Sequence, residues 1–394
     1  MSFLRMEDLD LAGKTVLIRA DLNVPINDGQ VINDNRIRAV LPTIKLAMDT
    51  AKKIIIMSHL GRPEEGRAIS DQPDYTLLPV AKRLSTLLCC DVPLIDNYLI
   101  MPESILLNHS QILLLENVRV NEGEKSNDDT LAVKYAELCD LFVMDAFGTA
   151  HRAQASTHGV AWHTPISCAG PLLAAELDAL EKSLSSPKRP LMAIVGGAKV
   201  STKLKVIDSL SRKVDQLIVG GGIANTFLAA SGVNVGKSLC ERELVGTAKK
   251  IMDSTNVPLP SDVVIAKDCH ADSAPVIKTV SEIEDDDIIL DIGPETSENF
   301  SNLIENMRTI IWNGPMGVFE FPQFSAGTES LALAVARNDG FSIAGGGETV
   351  AAIDRFSVGN HVSYISTGGG AFLEYVQGNK LPSVQILKDK SNGF

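Results

Sequence analysis

Short, continuous apolar runs recur along this chain, and between them apolar residues fall at three- and four-residue spacing. Runs of strand length that alternate with helical patterns predict buried parallel strands joined by crossover helices, an α/β chain built from βαβ units. In the first half the runs are TVLIRADLN, KIIIMSHLGRP, QILLLENVR and DLFVMDAFGTAHR, each closing on Arg or His. In the second half they are LMAIVGGAK, QLIVGGG, IILDIGPET, TIIWNGPMG, FSIAGGGET and SYISTGGGA, most of them running directly into glycine. Between the halves, PLLAAELDALEKSLSSPKRP keeps helical spacing until Pro187 and Pro190 break it, which predicts a connecting helix and linker over 171–190. A chain of 394 residues exceeds one ordinary core, so two domains are expected, 1–170 and 191–375, with a hinge between them.

In open parallel sheets ligands sit outside the carboxyl ends of the strands. The first half therefore gathers Arg19, His59, Arg62, Arg119, His151 and Arg152 around one cleft. So many cations at one sheet edge repel one another unless an anion neutralises them. Arg36, in a segment that begins a helix after the Gly29 turn, is placed to join them. In RADLNVP the alternation of an extended chain turns Arg19, Asp21 and Asn23 to one side, with Arg19 expected to hold Asp21. The second half presents Gly345-Gly346-Gly347 and Gly368-Gly369-Gly370, each ahead of a helical pattern. Strand, glycine turn and helix N-terminus in that order offer bare backbone N–H groups, for which phosphates are the natural guests.

Two nucleotide fingerprints fail. GxGxxG has Asn225 in place of its last glycine, and SGVNVGKS has Ser231 where a phosphate-binding loop needs its first glycine and follows a helix, so Gly236-Lys237-Ser238 reads as an ordinary loop. The first failure disfavours a nicotinamide-dependent dehydrogenase. A two-lobed binding protein without catalysis is disfavoured by the second set of phosphate sites.

Composition narrows the partners. With 36 Lys plus Arg against 49 Asp plus Glu the net charge is −13, which repels nucleic acid and acidic membrane surfaces. No run reaches membrane-span length and the N-terminus lacks a signal core, so a soluble cytoplasmic protein is expected. The six cysteines form no CxxC, as suits reduced thiols, and Asp268-Cys269-His270 reads as structural rather than metal-binding. The acidic run EIEDDD at 282–287 reads as a solvated face.

Ten segments make the chain specific: RADLNVP, SHLGRP, LLENVR, DAFGTAHR, GGAKVSTK, GGGIANTF, DIGPET, WNGPMGVFEF, GGGET and STGGGAFLE occur in this order across nearly all of it. Together they resemble phosphoglycerate kinase. The resemblance implies two Rossmann-like α/β domains, each a three-layer sandwich on a parallel sheet, joined by a hinge helix, with the tail at 376–394 returning to the N-terminal domain. It implies a monomer that transfers a phosphoryl group reversibly between ATP and 3-phosphoglycerate, giving ADP and 1,3-bisphosphoglycerate, with magnesium. Matching positions give Asp21 and Asn23 the substrate hydroxyl, and His59, Arg62, Arg119 and Arg152 its phosphate. Arg36 would sit nearest the reacting carboxylate. Lys199 and Lys203 match phosphate-binding lysines, Glu320 the ribose ligand, Asn313 and Pro315 the nucleotide wall, and Gly346 to Thr349 the triphosphate loop. Gly347 and Gly370 would offer amides to the moving group, with Arg36 and Lys199 as its catalytic cations. One position departs: the family usually has Asp where this chain has Glu348, one methylene longer, so both direct and water-mediated contact with magnesium stay open.

Overall fold

The structure is a computed structural model that describes residues 3–102, 105 and 108–392. The chain divides into two compact units, one running to Leu177 and taking back the segment from Lys380, the other spanning Asp178–Asn379. The division falls inside the helix Pro171–Leu184. No helix among the described residues is long and apolar enough to cross a membrane.

The first unit is built on a six-stranded parallel sheet in the order Leu94–Ile95, Ile112–Leu115, Lys53–Met57, Thr15–Ala20, Leu141–Asp145, Ile166–Ala169. Thr15–Ala20 lies in the middle, and its run is buried from Val16 to Ala20 because neighbouring strands cover both edges and helices both faces. Strand order reverses there: the chain first adds strands on one side, then returns to add Leu141–Asp145 on the other. Such a switch point opens a crevice at the carboxyl ends. Helix Asn35–Met48 packs on the sheet through Ile37, Val40, Ile44 and Ala47, a helical stripe that leaves Arg36 at its first turn near the crevice. Asp145, at the end of its strand, accepts from Thr43 of that helix and from the Leu173 amide at 3.0 Å. It thereby ties helix Asn35–Met48 to the start of Pro171–Leu184. The returning helix Pro382–Ser391 is anchored by Ser383 N to Ala150 O at 3.2 Å and by Lys390 Nζ to Trp162 O at 3.1 Å.

The second unit carries a five-stranded parallel sheet, Gln216–Gly220, Leu191–Gly196, Thr309–Asn313, Phe341–Ala344, Tyr364–Ile365, whose switch point lies between Leu191–Gly196 and Thr309–Asn313. The expectation of parallel sheets throughout fails for Ile288–Ile292. That strand joins Asp262–Ala266 and Val276–Thr279 in an antiparallel sheet of three strands. The connections among these strands hold no crossover helix, and only antiparallel pairing can be closed by such short links. The reading of 282–287 as a solvated face holds for Glu282, Glu284, Asp285 and Asp286, which are exposed, and needs correction at Asp287. Lys267 and Lys278 reach Asp287 at 2.8 and 2.7 Å, and its side chain is fully buried. Burial opposes ionisation there, but the two lysine hydrogen bonds prevail and hold the carboxyl at about 2. Gly236-Lys237-Ser238 lies in a loop, and Asp268 and the His270 amide are both bound to Ser273.

Candidate active site

At the first switch point the strand-end cations do converge. Arg19 is fully buried because its position pairs with Met57 on one side and Met144 on the other. Its Nε donates to Ser156 Oγ at 3.0 Å, its Nη1 to Ala20 O, and its Nη2 faces His59 Nδ1 at 3.3 Å. It does not hold Asp21, contrary to expectation. Strand geometry ends at Ala20, before the alternation can carry Asp21 to the Arg19 side. Arg36 holds it instead, with Nη1 at 3.1 and 3.0 Å from the carboxylate oxygens and 3.2 Å from Asn23 O. Asn23 Oδ1 accepts from the Gly61 amide at 2.8 Å, which fixes the side-chain amide and identifies its other end as the NH₂ donor.

Arg119 is buried and donates to Gly61 O, while Arg152 Nε donates to His151 Nε2 at 3.2 Å. Arg62 stands exposed in the same loop as His59 and Gly61. Burial depresses the His59 imidazole well below its usual range, and Arg19, Arg119, Arg152 and Arg36 press it further in the same direction. It is neutral at physiological pH. Burial, then Arg152 and Arg19, bring Arg119 down to about 10. These mutual effects are what a set of cations shows when it surrounds one place.

The loops are fixed by buried polar side chains that are not among the cations and acceptors expected from the sequence. Asn117 donates to Leu60 O at 2.8 Å and Tyr75 O at 2.9 Å, and accepts from Arg119 N at 3.1 Å. Glu116 accepts from Leu77 N and Asn117 N, both at 2.8 Å. Both residues lie in LLENVR, and polar residues directly after a fully apolar strand were the available signal.

In the second unit, backbone comes unusually close at the switch point. A Cβ on Gly196 would lie 1.8 Å from Pro315 O, so Pro315 packs its carbonyl directly against this glycine. Lys199 is exposed as the residue capping helix Val200–Ser211. Lys203, one turn on, does not share a solvated face with it. Its ammonium turns inward to Gly196 O and to Asn313 O at 3.4 Å, and burial lowers its pKa while Glu348 opposes the shift. Glu348 stands 3.9 Å from the ammonium with 58% of its side chain exposed.

Asn313 is buried and donates to Gly345 O at 2.6 Å. Gly346 has φ 101, left-handed backbone in which a Cβ would also meet Asn313 Nδ2 at 2.6 Å. Helix Gly347–Arg355 follows, and above Gly347 the space is open. The second glycine turn reaches the first: a Cβ on Gly369 would lie 3.5 Å from Gly346 Cα, and Gly370 is exposed in the first turn of Gly369–Val376. Thr349 turns away from this opening. It is fully buried, donates to Gly345 O at 2.9 Å and accepts from Gly314 N at 2.8 Å, so its hydroxyl locks the loop. Glu320 is exposed, and Arg355 donates to its carbonyl at 3.2 Å.

Three helix N-termini, at Val200, Gly347 and Gly369, thus open at one end of one sheet beside two lysines, which is the electrostatic form of a polyphosphate site. The first unit thus carries a cationic crevice, and the second carries glycine turns and helix N-termini beside two lysines. The family model for phosphoglycerate kinase matches residues 6–379. The chain belongs to the phosphoglycerate kinase family. It is a phosphotransferase with a carboxyl group as acceptor. Among solved structures it is similar to the phosphoglycerate kinase of Coxiella burnetii, with 48% identity, both chains covered in full and a TM-score of 0.93. It is also similar to that of Pyrococcus horikoshii OT3, with 32% identity over 99% of this chain and 100% of the other, and a TM-score of 0.82. The mixed α/β fold with a parallel sheet in each unit is the fold of these enzymes.

Proposed function

We propose that this enzyme moves a phosphoryl group reversibly between 1,3-bisphosphoglycerate and ADP, giving 3-phosphoglycerate and ATP, as a cytoplasmic monomer of glycolysis. The observation that carries the substrate side is the set of arginines pressing on one buried, neutral imidazole. Such a set favours a dianion such as a phosphate monoester. Arg62, Arg119 and Arg152, with His59, take that phosphate, and Asp21 with the Asn23 amide takes the hydroxyl. Asp21 suits a hydroxyl because an ionised carboxylate only accepts, which selects a hydroxy acid over a plain anion.

Arg36 uses only Nη1 on Asp21 and Asn23. The rest of its guanidinium fork is left for the reacting carboxylate. A carboxylate is ionised at neutral pH, so no general base is required, and the neutral His59 is not asked to be one. The residues then act by holding and by neutralising charge. Arg36 and Lys199 stabilise the transferring phosphoryl, the amides of Gly347 and Gly370 point at it, and Lys203 with the Gly346–Thr349 backbone holds the nucleotide phosphates. Asn313 and Pro315 wall the nucleotide and Glu320 takes its ribose.

Magnesium fits one position on the phosphate side. Glu348 is an exposed carboxylate beside the cradle, and this ion is commonly held by one or two carboxylates together with substrate phosphates and water. Bound there, it would neutralise charge on the nucleotide phosphates. The segment 171–190, between the two units, serves as the hinge. A coupled turnover assay with ATP, magnesium and 3-phosphoglycerate tests the proposal, and absence of ADP formation under those conditions rejects it.

A further inference from the structure

Glu124 has no part in the roles given above, although it stands directly behind the cationic crevice. It is fully buried, and its carboxylate accepts from the Ser156 amide at 3.1 Å and from the Ser156 hydroxyl at 2.5 Å. The same hydroxyl oxygen accepts from Arg19 Nε at 3.0 Å. The Glu124 carbonyl accepts from Ala155 N at 3.0 Å, so both ends of the residue grip the turn 155–159. A serine has one hydroxyl proton to give. Given to Glu124, it leaves the oxygen lone pairs for Arg19, and the guanidinium is oriented by a carboxylate it does not touch. The charged groups acting on Glu124 are Arg19 and Arg119, and Glu124 in turn bears on the buried phenols Tyr98 and Tyr135, both bound to Asn121. Asp21, Arg152 and His59 stand beyond, around the two arginines.

We propose that Glu124 is a positioning residue of the anion site, setting Arg19 through Ser156 and supplying the buried counter-charge against which an arriving anion must bind. The inference rests on reading this crevice as an anion site. A buried carboxylate beside the cations lowers the positive potential that an anion meets, and the anion in turn disfavours the carboxylate. Anion and proton therefore bind with mutual assistance. Burial, working against the Ser156 and Arg19 interactions, raises the Glu124 carboxyl to about 6, which puts this coupling in an accessible range.

The test uses full-length enzyme and sulfate, whose charge is constant from pH 5.5 to 8, with binding followed by calorimetry. In the native enzyme sulfate affinity should rise as pH falls through about 6, by about fivefold or more. In Glu124→Gln it should be high at pH 8 and nearly flat. Ser156→Ala keeps the buried charge but cuts its link to Arg19, so it should weaken sulfate binding at every pH while keeping the slope. A purely structural role would lower the melting temperature of Glu124→Gln and leave the slope unchanged, which overturns the inference. Failure of the native enzyme to bind sulfate overturns the anion-site reading itself, and the inference with it. Should Glu124→Gln not fold, sulfate is titrated into the native enzyme at pH 6.5 in two buffers of different ionisation enthalpy. Fractional proton uptake is expected, and zero uptake refutes the coupling.

Discussion

Replacing Arg36 by alanine separates catalysis from stability, because its proposed role and its half-exposed ion pair predict effects of very different size. The Arg36 side chain is 41% exposed and its ion pair with Asp21 spans 3.0 Å. Solvent screens such a pair, so its loss costs about 0–1 kcal/mol of stability. For a unit of this size that lowers the melting temperature by no more than ~4 °C. As a cation at the transferring group, Arg36 should carry what one preorganised electrostatic contact carries, about 2.7–4 kcal/mol or ~10²–10³ in kcat. Arg36→Ala should therefore melt close to the native enzyme yet turn over at least about a hundredfold more slowly in the coupled assay. Arg36→Lys, which keeps the charge and loses the fork, should fall between them. Near-native turnover of Arg36→Ala would remove this residue from the chemistry, and a slow variant that has also unfolded would leave the loss to the fold.

Asn117→Leu strands the buried Leu60 carbonyl, the part-buried Tyr75 carbonyl and the Arg119 amide. It should cost about 2–4 kcal/mol in chemical denaturation and raise the KM for 3-phosphoglycerate, and an unchanged midpoint would refute the bracing role. Gly196→Ala forces a methyl to within 1.8 Å of Pro315 O, so ADP should no longer raise the melting temperature; retained protection would show that the wall can yield. Glu348→Asp should preserve or improve the magnesium dependence of turnover, and loss of nucleotide binding would mean the longer side chain is needed. Burial raises the Asp145 carboxyl to about 6, above its unfolded value, so the folded state takes up that proton first. Relative to Asp145→Asn, native stability should rise as pH falls from 8 toward 4, and a constant difference in denaturation midpoints would contradict this.

The sheet strands were legible because burial on both faces forces continuous apolar runs, as in KIIIM and LFVMD. Convergence of the cations was legible too, since parallel strands deliver their carboxyl ends to one edge. Pairing within the cluster was not. Which of Arg19 and Arg36 holds Asp21 depends on where strand geometry stops and helix Asn35–Met48 begins, a matter of loop path that alternation cannot supply. Thr349 shows a related limit. Its place in the glycine loop is plain from sequence, but only packing decides whether its hydroxyl faces a ligand or Gly345 O. Asp287 escaped because Lys267 and Lys278 reach it from other strands of a small antiparallel sheet that the alternating pattern does not announce. Glu124 and Asn117 carry no periodic signature, since their partners are mostly backbone groups.

Because the last helix, Pro382–Ser391, belongs with the unit that contains the first strand, the second unit is an insertion within the first. Synthesis from the N-terminus therefore releases Asp178–Asn379 as an uninterrupted stretch while its predecessor still waits for Ser383 to meet Ala150. On the ribosome the second unit can be finished before the one that was begun first. A chain that lost Pro382–Ser391 would then disturb the unit that contains the first strand and leave Asp178–Asn379 with all of its own residues.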